Sequence, residues 1–244
     1  MRIRYHGFPW VRSKAGSELQ KFFSDYGTLK HIPKGTPVFK GNEFYPNLSL
    51  VLSGLLAKFS ESFTFKETSK VKAISLLLPG TVLGGTFFLS NRLSNIASTA
   101  LRDTVLLDVK HEAVWEYVRT HHNFGKALVN HIMLDLESDL EGMATIIARP
   151  PEERLAVLFK ILVQRYEVQN ENGWFNIPVK LTHSELSQVI YTIPLTLNRI
   201  LLEWKKRGLY RKEGTERYAH KSLFDNLYDW EENRMKSTDI GSGA

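Results

Sequence analysis

The 244-residue sequence contains no cysteine and no long apolar run. Without cysteine the chain cannot form disulfides, ligate zinc or an iron–sulfur cluster through thiolates, or use a thiol nucleophile, and it suits a reducing compartment. No segment reaches the roughly 18 apolar residues of a transmembrane helix, and residues 1–10 lack the apolar core of a signal peptide. We therefore expect a cytoplasmic globular protein with no membrane segment.

Signatures of the common enzyme classes are missing as well. The chain has no Walker or Rossmann glycine-rich loop and no supported Ser/His/Asp arrangement. A cupin-like metal enzyme, kept as the less favoured alternative, needs clustered histidines, yet residues 28–109 contain only His31. We interpret His121, His122 and His131 as solvent-exposed residues of a helix. The sequence thus predicts a protein that is not an enzyme and has no metal site.

Short apolar runs separated by glycine, proline and asparagine make up residues 28–109. Three of these runs lie at residues 48–52, 73–78 and 105–109. Such spacing is typical of a β-sandwich or small barrel. Apolar residues at helical intervals within residues 16–26 predict a short leading helix before it.

After the strand-rich region the apolar period becomes helical. An apolar stripe with steps of three or four residues comprises Val129, Ile132, Leu136, Leu140, Met143 and Ile147. Packing on the chain's own sandwich is one explanation, but a stripe of about six turns resembles a coiled-coil seam, so we expect a homodimer. We expect a break near residues 123–125. Pro150 and Pro151 end the helix because proline lacks an N–H, which predicts a hinge.

Residues 181–220 carry the sharpest local pattern. Thr182 and Glu185 have capping-box spacing, which predicts that a helix starts at Thr182. A break follows, Pro194 suits the first turn of a second helix, and Gly208 closes that helix. Residues 209–219 predict two short strands joined by a glycine turn. Together these elements predict a winged helix-turn-helix.

The positive charge is concentrated in the same segment. Residues 199–221 contain eight basic and three acidic residues, a net charge of +5 out of +6 for the whole chain. A solvated helix face is the usual explanation, but the two-helix pattern favours neutralisation of DNA phosphates. The side chains expected to contact double-stranded DNA are Thr182, His183, Thr196, Asn198, Arg199, Lys205, Lys206, Arg211, Lys212 and Arg217.

This order of parts resembles the Crp/Fnr superfamily of bacterial transcription regulators. The resemblance covers about residues 28–230 and is most specific at residues 32–39, 52–54, 78–84 and 181–201. It implies an α+β chain that is divided as follows: a cyclic-nucleotide-binding-like jelly-roll sensor domain at 1–110, a long dimerisation helix at 111–148, a winged helix-turn-helix domain at 149–236 and a tail at 237–244.

The resemblance also implies partners and an effector. We expect a homodimer on promoter DNA with two-fold related half-sites, RNA polymerase as a further partner and control by a small molecule. Cyclic AMP is not expected, because members that bind it use a Glu and an Arg-Ser pair where this chain has Gly85, Asn95 and Ile96. A phosphate buried without those partners would cost several kcal/mol. Haem would need an axial His or Cys, and His31 and His111 are available, but a lone histidine is more often a surface residue, so haem is not expected. The oxygen-sensing branch of the family needs an N-terminal cysteine cluster, so an iron–sulfur cluster is not expected in this cysteine-free chain.

We expect the effector, apolar or aromatic, to bind between the sandwich and the long helix, although core packing explains the apolar candidates equally well. The candidate effector-binding residues are Leu83, Gly84, Gly85, Phe87, Phe88, Asn95, Leu136 and Leu140.

The second helix of the DNA-binding motif departs from the family pattern, because Pro194-Leu195 replaces the usual Arg-Glu pair. We therefore expect an unusual half-site, in which Leu195 contacts a thymine methyl group and Asn198 an adenine edge. The alternative is a degenerate member that acts through protein contacts without strong DNA binding.

Overall fold

In a computed structural model, the structure describes residues 7–60, 73–93 and 95–227. The chain divides into two compact units. One is Val11–Asp139, and the other combines residues 140–227 with residues 7–10. The strands of each sheet pair antiparallel and are accompanied by helices, which confirms the predicted α+β fold class.

Two four-stranded sheets form the first unit. One has the order β1-β8-β3-β6 and the other β2-β7-β4-β5, as in a jelly roll. The strands are β1 (Thr28–Ile32), β2 (Pro37–Phe39), β3 (Asn47–Ser53), β4 (Leu56–Ser60), β5 (Ala73–Leu77), β6 (Val82–Leu83), β7 (Ile96–Ala100) and β8 (Thr104–Lys110).

Alternation along the strands separates two cores in this unit. Leu106 of β8 packs in a core with residues of both sheets, such as Leu56. Its neighbour Leu107 joins a second core that also contains Phe23 and Phe124 from helices. Successive side chains of a strand point to opposite faces, so one strand supplies both cores.

The helices that belong to or begin in this unit are α1 (Ser17–Tyr26), α2 (Gly85–Ser90), α3 (His111–Thr120) and α4 (His122–Ala148). The expected helix break lies at His121, before the predicted position at residues 123–125. The ring of His121 stacks on that of Tyr117 at 3.8 Å, and its Nδ1 lies 2.8 Å from Thr120 Oγ1. Phe124, inside the predicted break, is instead a fully buried residue of α4.

The second unit contains the predicted winged helix-turn-helix. Its elements are α5 (Pro151–Arg165), β9 (Trp174–Asn176), α6 (His183–Val189), α7 (Pro194–Lys206), β10 (Tyr210–Glu213) and β11 (Glu216–His220). The three strands form one sheet in the order β10-β11-β9. The capping box is present, because Glu185 N donates to Thr182 Oγ1 at 3.1 Å and Thr182 N donates to Glu185 Oε2 at 2.7 Å. Within the described ranges, no helix has the length and apolarity needed to cross a bilayer.

Gly84, between β6 and α2, offers a stability test. Its φ is +95°, and an added Cβ would lie 2.2 Å from the carbonyl oxygen of Asn47. Gly35 has a similar φ of +84°, but nothing lies near the position of an added Cβ. The loss of stability in Gly35→Ala therefore measures the cost of the backbone conformation alone. We expect Gly84→Ala to lower the free energy of unfolding by about 1 to 3 kcal/mol more than Gly35→Ala in urea denaturation. Equal losses in the two variants would show that the close approach to Asn47 is unimportant.

Candidate nucleic-acid interface and effector pocket

Helix α7 is held in place by one buried face. Leu197, Leu201 and Trp204 are buried. The indole Nε1 of Trp204 donates to Glu152 Oε1 of α5 at 2.6 Å, and Arg207 NH1 lies 3.2 Å from the same oxygen. This charge-assisted anchor fixes which face of α7 remains exposed.

The turn between α6 and α7 is also hydrogen-bonded to α5. Tyr191 has a φ of +53°, a left-handed conformation that is uncommon for a residue with a side chain. Arg154 NH1 donates to the carbonyl oxygens of Ile190 and Tyr191 at 3.2 and 3.3 Å. The guanidinium thus satisfies two turn carbonyls and supports the strained residue.

The exposed face of α7 combines polar, cationic and apolar side chains. Asn198, Arg199 and Lys206 are exposed there, together with Leu195 (56% exposed) and Leu202 (59% exposed). Leu202 did not figure among the predicted contact residues. Its position seven residues after Leu195, two helical turns along the same face, is the signal that points to it.

The other predicted DNA-contacting residues differ in exposure. Those that are exposed are Thr182, His183, Lys205, Arg211 and Lys212, whereas Thr196 is half-buried. Arg217 is only 8% exposed. Alternation along β11 places Arg217 on the same buried side as Ala219, so its side chain does not join the exposed set.

Arg211 is held on the face of the three-stranded sheet. Its guanidinium carbon lies 4.7 Å from the ring centre of Trp174 and 4.6 Å from that of Tyr218. Its Nε is also 3.5 Å from Glu213 Oε1. Cation–π contacts on two rings restrain the side chain while leaving it partly exposed.

Helix α4 carries an exposed apolar stripe. Its members follow one another at steps of four and three residues and are Val129, Met133, Leu136, Leu140, Met143 and Ile147. Five of the six predicted dimer residues belong to it. The sixth, Ile132, is 4% exposed and packs in the core of the first unit, and Met133 takes its place in the stripe.

A cavity of about 40 Å³ lies in the first unit between the sandwich and α4. Among the predicted effector residues, Leu83, Gly84, Gly85, Phe87 and Leu136 line it. Phe88 is elsewhere in the core, where its ring stacks on Trp115 at 4.3 Å. Asn95 and Leu140 are exposed and do not line the cavity.

Three charged residues that were not among the predicted effector-binding residues line this cavity, namely Arg12, Lys58 and Asp135, and Asp139 pairs with two of them. Arg12 NH1 lies 2.7 Å from Asp135 Oδ2, Arg12 NH2 lies 2.9 Å from Asp139 Oδ2, and Lys58 Nζ lies 2.5 Å from the same oxygen of Asp139. We call these four residues the buried charge cluster. Each of the four side chains is less than 15% exposed. His131, Asp135 and Asp139 recur every four residues, which was the available signal for a polar buried face of α4.

Burial shifts the proton affinities of the cluster and its neighbour. Burial and the nearby Arg12 cation lower the pKa of Lys58 to about 8, against the opposing effect of Asp139. Burial raises the pKa of Asp135. Burial also lowers the pKa of His131, whose Nε2 lies 4.0 Å from Asp135 Oδ2. His131, interpreted above as solvent-exposed, is therefore a buried residue with only 4% exposure.

The two histidines considered as axial haem ligands lie in different environments. His31 is exposed, whereas His111 is buried beside the rings of Phe44 and Phe88. Across the described ranges no group of three or more potential metal ligands occurs. Gly85 occupies the position that corresponds to a glutamate in cyclic-AMP binders, and a side chain there would require Ile132 to shift, since an added Cβ would lie 2.7 Å from Ile132 Cγ1.

His131 should make stability depend on pH. Its pKa is lowered in the folded state, so below the unfolded value of about 6.5 the unfolded chain takes up a proton that the folded chain refuses. Stability is then lost as the pH falls below that value, by at most about 1.4 kcal/mol per pH unit from this group. We expect His131→Gln to flatten the decrease of the unfolding free energy between pH 7 and 5. The exposed His122→Gln is the control, and a parallel decrease in wild type and His131→Gln would contradict the assignment.

No protein-family model and no curated protein sequence matches the chain. Several solved structures match it closely in backbone. FixK2 from Bradyrhizobium japonicum has a TM-score of 0.69 and 16% identity, covering 83% of this chain and 98% of that one. The Crp/Fnr-family transcriptional regulator TTHA1359 from Thermus thermophilus has a TM-score of 0.61 and 17% identity, with coverage of 80% and 96%.

A third match is CLP of Xanthomonas campestris, described as a c-di-GMP-responsive global regulator. It has a TM-score of 0.66 and 13% identity, with coverage of 83% and 98%. At such identities the likeness concerns the fold. The resemblance noted in the sequence is confirmed at this level: the chain has a Crp/Fnr-like fold.

Proposed function

We propose that the protein is a sequence-specific DNA-binding transcription regulator of the Crp/Fnr type. It acts in the cytoplasm as a homodimer on a two-fold related operator and has no catalytic activity of its own. The observation that carries the proposal is α7, whose buried face is anchored through Trp204 to Glu152 while Asn198, Arg199 and Lys206 are exposed. A helix that is anchored through one face and exposes polar and cationic side chains on the other is the form in which proteins enter the major groove.

The residues of α7 divide into two roles in this proposal. Arg199, Lys205 and Lys206 neutralise phosphates, which contributes affinity without regard to sequence. Leu195 contacts thymine methyl groups and Asn198 an adenine edge, which contributes specificity. The first turn of α7 contains no charged side chain, so a guanine contact from that turn is not part of the proposal.

The homodimer is proposed to form through the apolar stripe of α4. Six large apolar side chains on one face, most of them more than two-fifths exposed, would be an unusual surface for a lone chain. Their steps of four and three residues are those of a coiled-coil seam. Helix-turn-helix dimers bind half-sites about one helical turn apart, roughly 34 Å, and we propose this spacing for the operator.

The effector proposed for the cavity is a small molecule other than cyclic AMP. Ligand pockets for drug-sized molecules measure roughly 300 to 1,000 Å³. A cavity of about 40 Å³ holds a few waters, so an effector of that size enters only if the lining moves. CLP, which shares the fold, is described as responsive to c-di-GMP, and this supports control by a ligand. RNA polymerase remains the proposed partner on the promoter.

Exposed apolar side chains of the winged helix-turn-helix favour a second candidate function. Ile193, Leu195 and Leu202 are each more than half exposed, which also suits a protein partner. In that case the chain is a degenerate family member that acts through protein contacts with little DNA affinity.

Arg199 decides between the two candidates. After selection of an operator from randomised two-fold symmetric DNA, we expect Arg199→Ala to weaken binding at least tenfold and to reduce the slope of log affinity against log salt by about two, one for each protomer. Lys21→Ala, which removes an exposed cation from the first unit, is the control for net charge. Unchanged affinity of Arg199→Ala across the salt titration would contradict the role given to α7.

The dimer proposal is tested at the centre of the stripe. Leu140 is 65% exposed in the single chain, and Leu140→Asp would place a charge inside the seam. We expect the wild type to have twice the 28.0 kDa mass of one chain in sedimentation equilibrium, and Leu140→Asp to have the mass of one chain. Asn130→Asp, an exposed position of α4 outside the stripe, should stay dimeric. A wild type that sediments as a single chain at micromolar concentration would rule out this dimer.

A further inference from the structure

A short segment before α1 places the cationic side chain of Arg12 in the lining of the effector cavity. We call residues 11–15 the N-terminal strap. Val11 forms an isolated parallel bridge with Leu76, Arg12 N donates to Leu76 O at 3.1 Å, and Ala15 N donates to Gly80 O at 2.8 Å. These backbone bonds fix the strap along the sandwich and direct the Arg12 side chain inward, where the residue is 7% exposed.

Two carboxylates of one helix receive the guanidinium of Arg12. Asp135 and Asp139 are four residues apart on α4, so their side chains are neighbours on one face. Two like charges at that spacing in a buried position repel unless a cation lies between them. Arg12 bonds both carboxylates, and its planar fork with five N–H donors suits paired oxygens better than an ammonium does.

Unused hydrogen-bonding capacity remains around the guanidinium. Asp135 Oδ1 and Ser98 Oγ are buried and have no hydrogen-bond partner among the described residues, and both residues line the cavity. Ser98 is 1% exposed and Asp135 is 5% exposed. Buried polar atoms without partners are rare in proteins, and here they lie in the cavity that also receives a group with many donors.

We propose that the effector cavity is a guanidinium-binding site whose resident ligand is the chain's own Arg12. The strap is then a tethered ligand, and free guanidino compounds are the class of small molecule that enters when the strap withdraws. This deepens the effector part of the proposed function and rests on it only for its regulatory consequence.

The direct test is chemical rescue. Arg12→Ala removes the resident ligand and leaves Asp135 and Asp139 with Lys58 as their cation. We expect its melting temperature to fall by about 10 °C. Millimolar methylguanidinium should recover at least half of this loss, whereas methylammonium or sodium chloride at the same ionic strength should not. If Arg12→Ala is unfolded in buffer, the same compounds are added during refolding and the recovered helical circular dichroism is measured.

Two control variants separate a specific site from general salt effects. Lys14→Ala removes an exposed cation of the same strap and should show neither the loss nor the rescue. Arg12→Ala combined with Asp139→Asn keeps the vacated space but removes one carboxylate, and it should not respond to methylguanidinium. The proposal is overturned if Arg12→Ala has the same melting temperature as the wild type, or if methylammonium raises the melting temperature of the variant as much as methylguanidinium does.

Operator binding separates this proposal from the proposed function. We expect Arg12→Ala to lose at least tenfold in operator affinity and methylguanidinium to restore it. If methylguanidinium rescues the melting temperature of Arg12→Ala but the wild type binds no DNA, the guanidinium site is supported and the proposed function is wrong. If the wild type binds its operator but methylguanidinium does not rescue Arg12→Ala, the proposed function is supported and the guanidinium site is wrong.

Discussion

The buried charge cluster is the constraint on which the first unit depends. Asp135 and Asp139 cannot be buried on α4 unless cations reach them from other parts of the chain. Arg12 comes from the strap and Lys58 from β4, so one electrostatic requirement joins three elements that are far apart in sequence. Removing one partner of such a set leaves a buried charge without compensation, which is far more costly than the set is stabilising.

This requirement gives α4 two faces with different chemistry. Its inner face combines Phe124, Leu128 and Ile132 with the two carboxylates. Its outer face carries the apolar stripe, whose side chains remain exposed in the described chain. Apolar periodicity alone predicted the helix and most of the stripe, but Ile132 and Met133 are adjacent apolar residues, and a period cannot decide which of them faces outward. The polar positions at 131, 135 and 139 mark the inner face, and they were not used in that prediction.

Local patterns predicted most of the fold, because the signals are local. The capping box of Thr182 and Glu185, the glycine and proline punctuation between strands, and the prolines after α4 all act within a few residues. The strap and the cavity wall could not be predicted in this way. Arg12 meets Asp139 across 127 positions, and residues 11–15 have no apolar period that would place them on the sandwich. The burial of Arg217 is an intermediate case, because it was not predicted although a local pattern, the alternation of β11, places it beside Ala219 on the buried side.

The cluster also clarifies the charge of the molecule. Two cations and two carboxylates cancel inside it, so it contributes nothing to the net charge of +6, and the segment of residues 199–221 still accounts for +5. The buried charge cluster and the charges proposed to contact DNA are therefore separate sets in this chain. The first fixes α4 by direct pairing at short range, where screening by salt is weak. Apart from Arg217, the second is exposed and screened, so ionic strength should act on the proposed DNA affinity much more strongly than on the stability of the first unit.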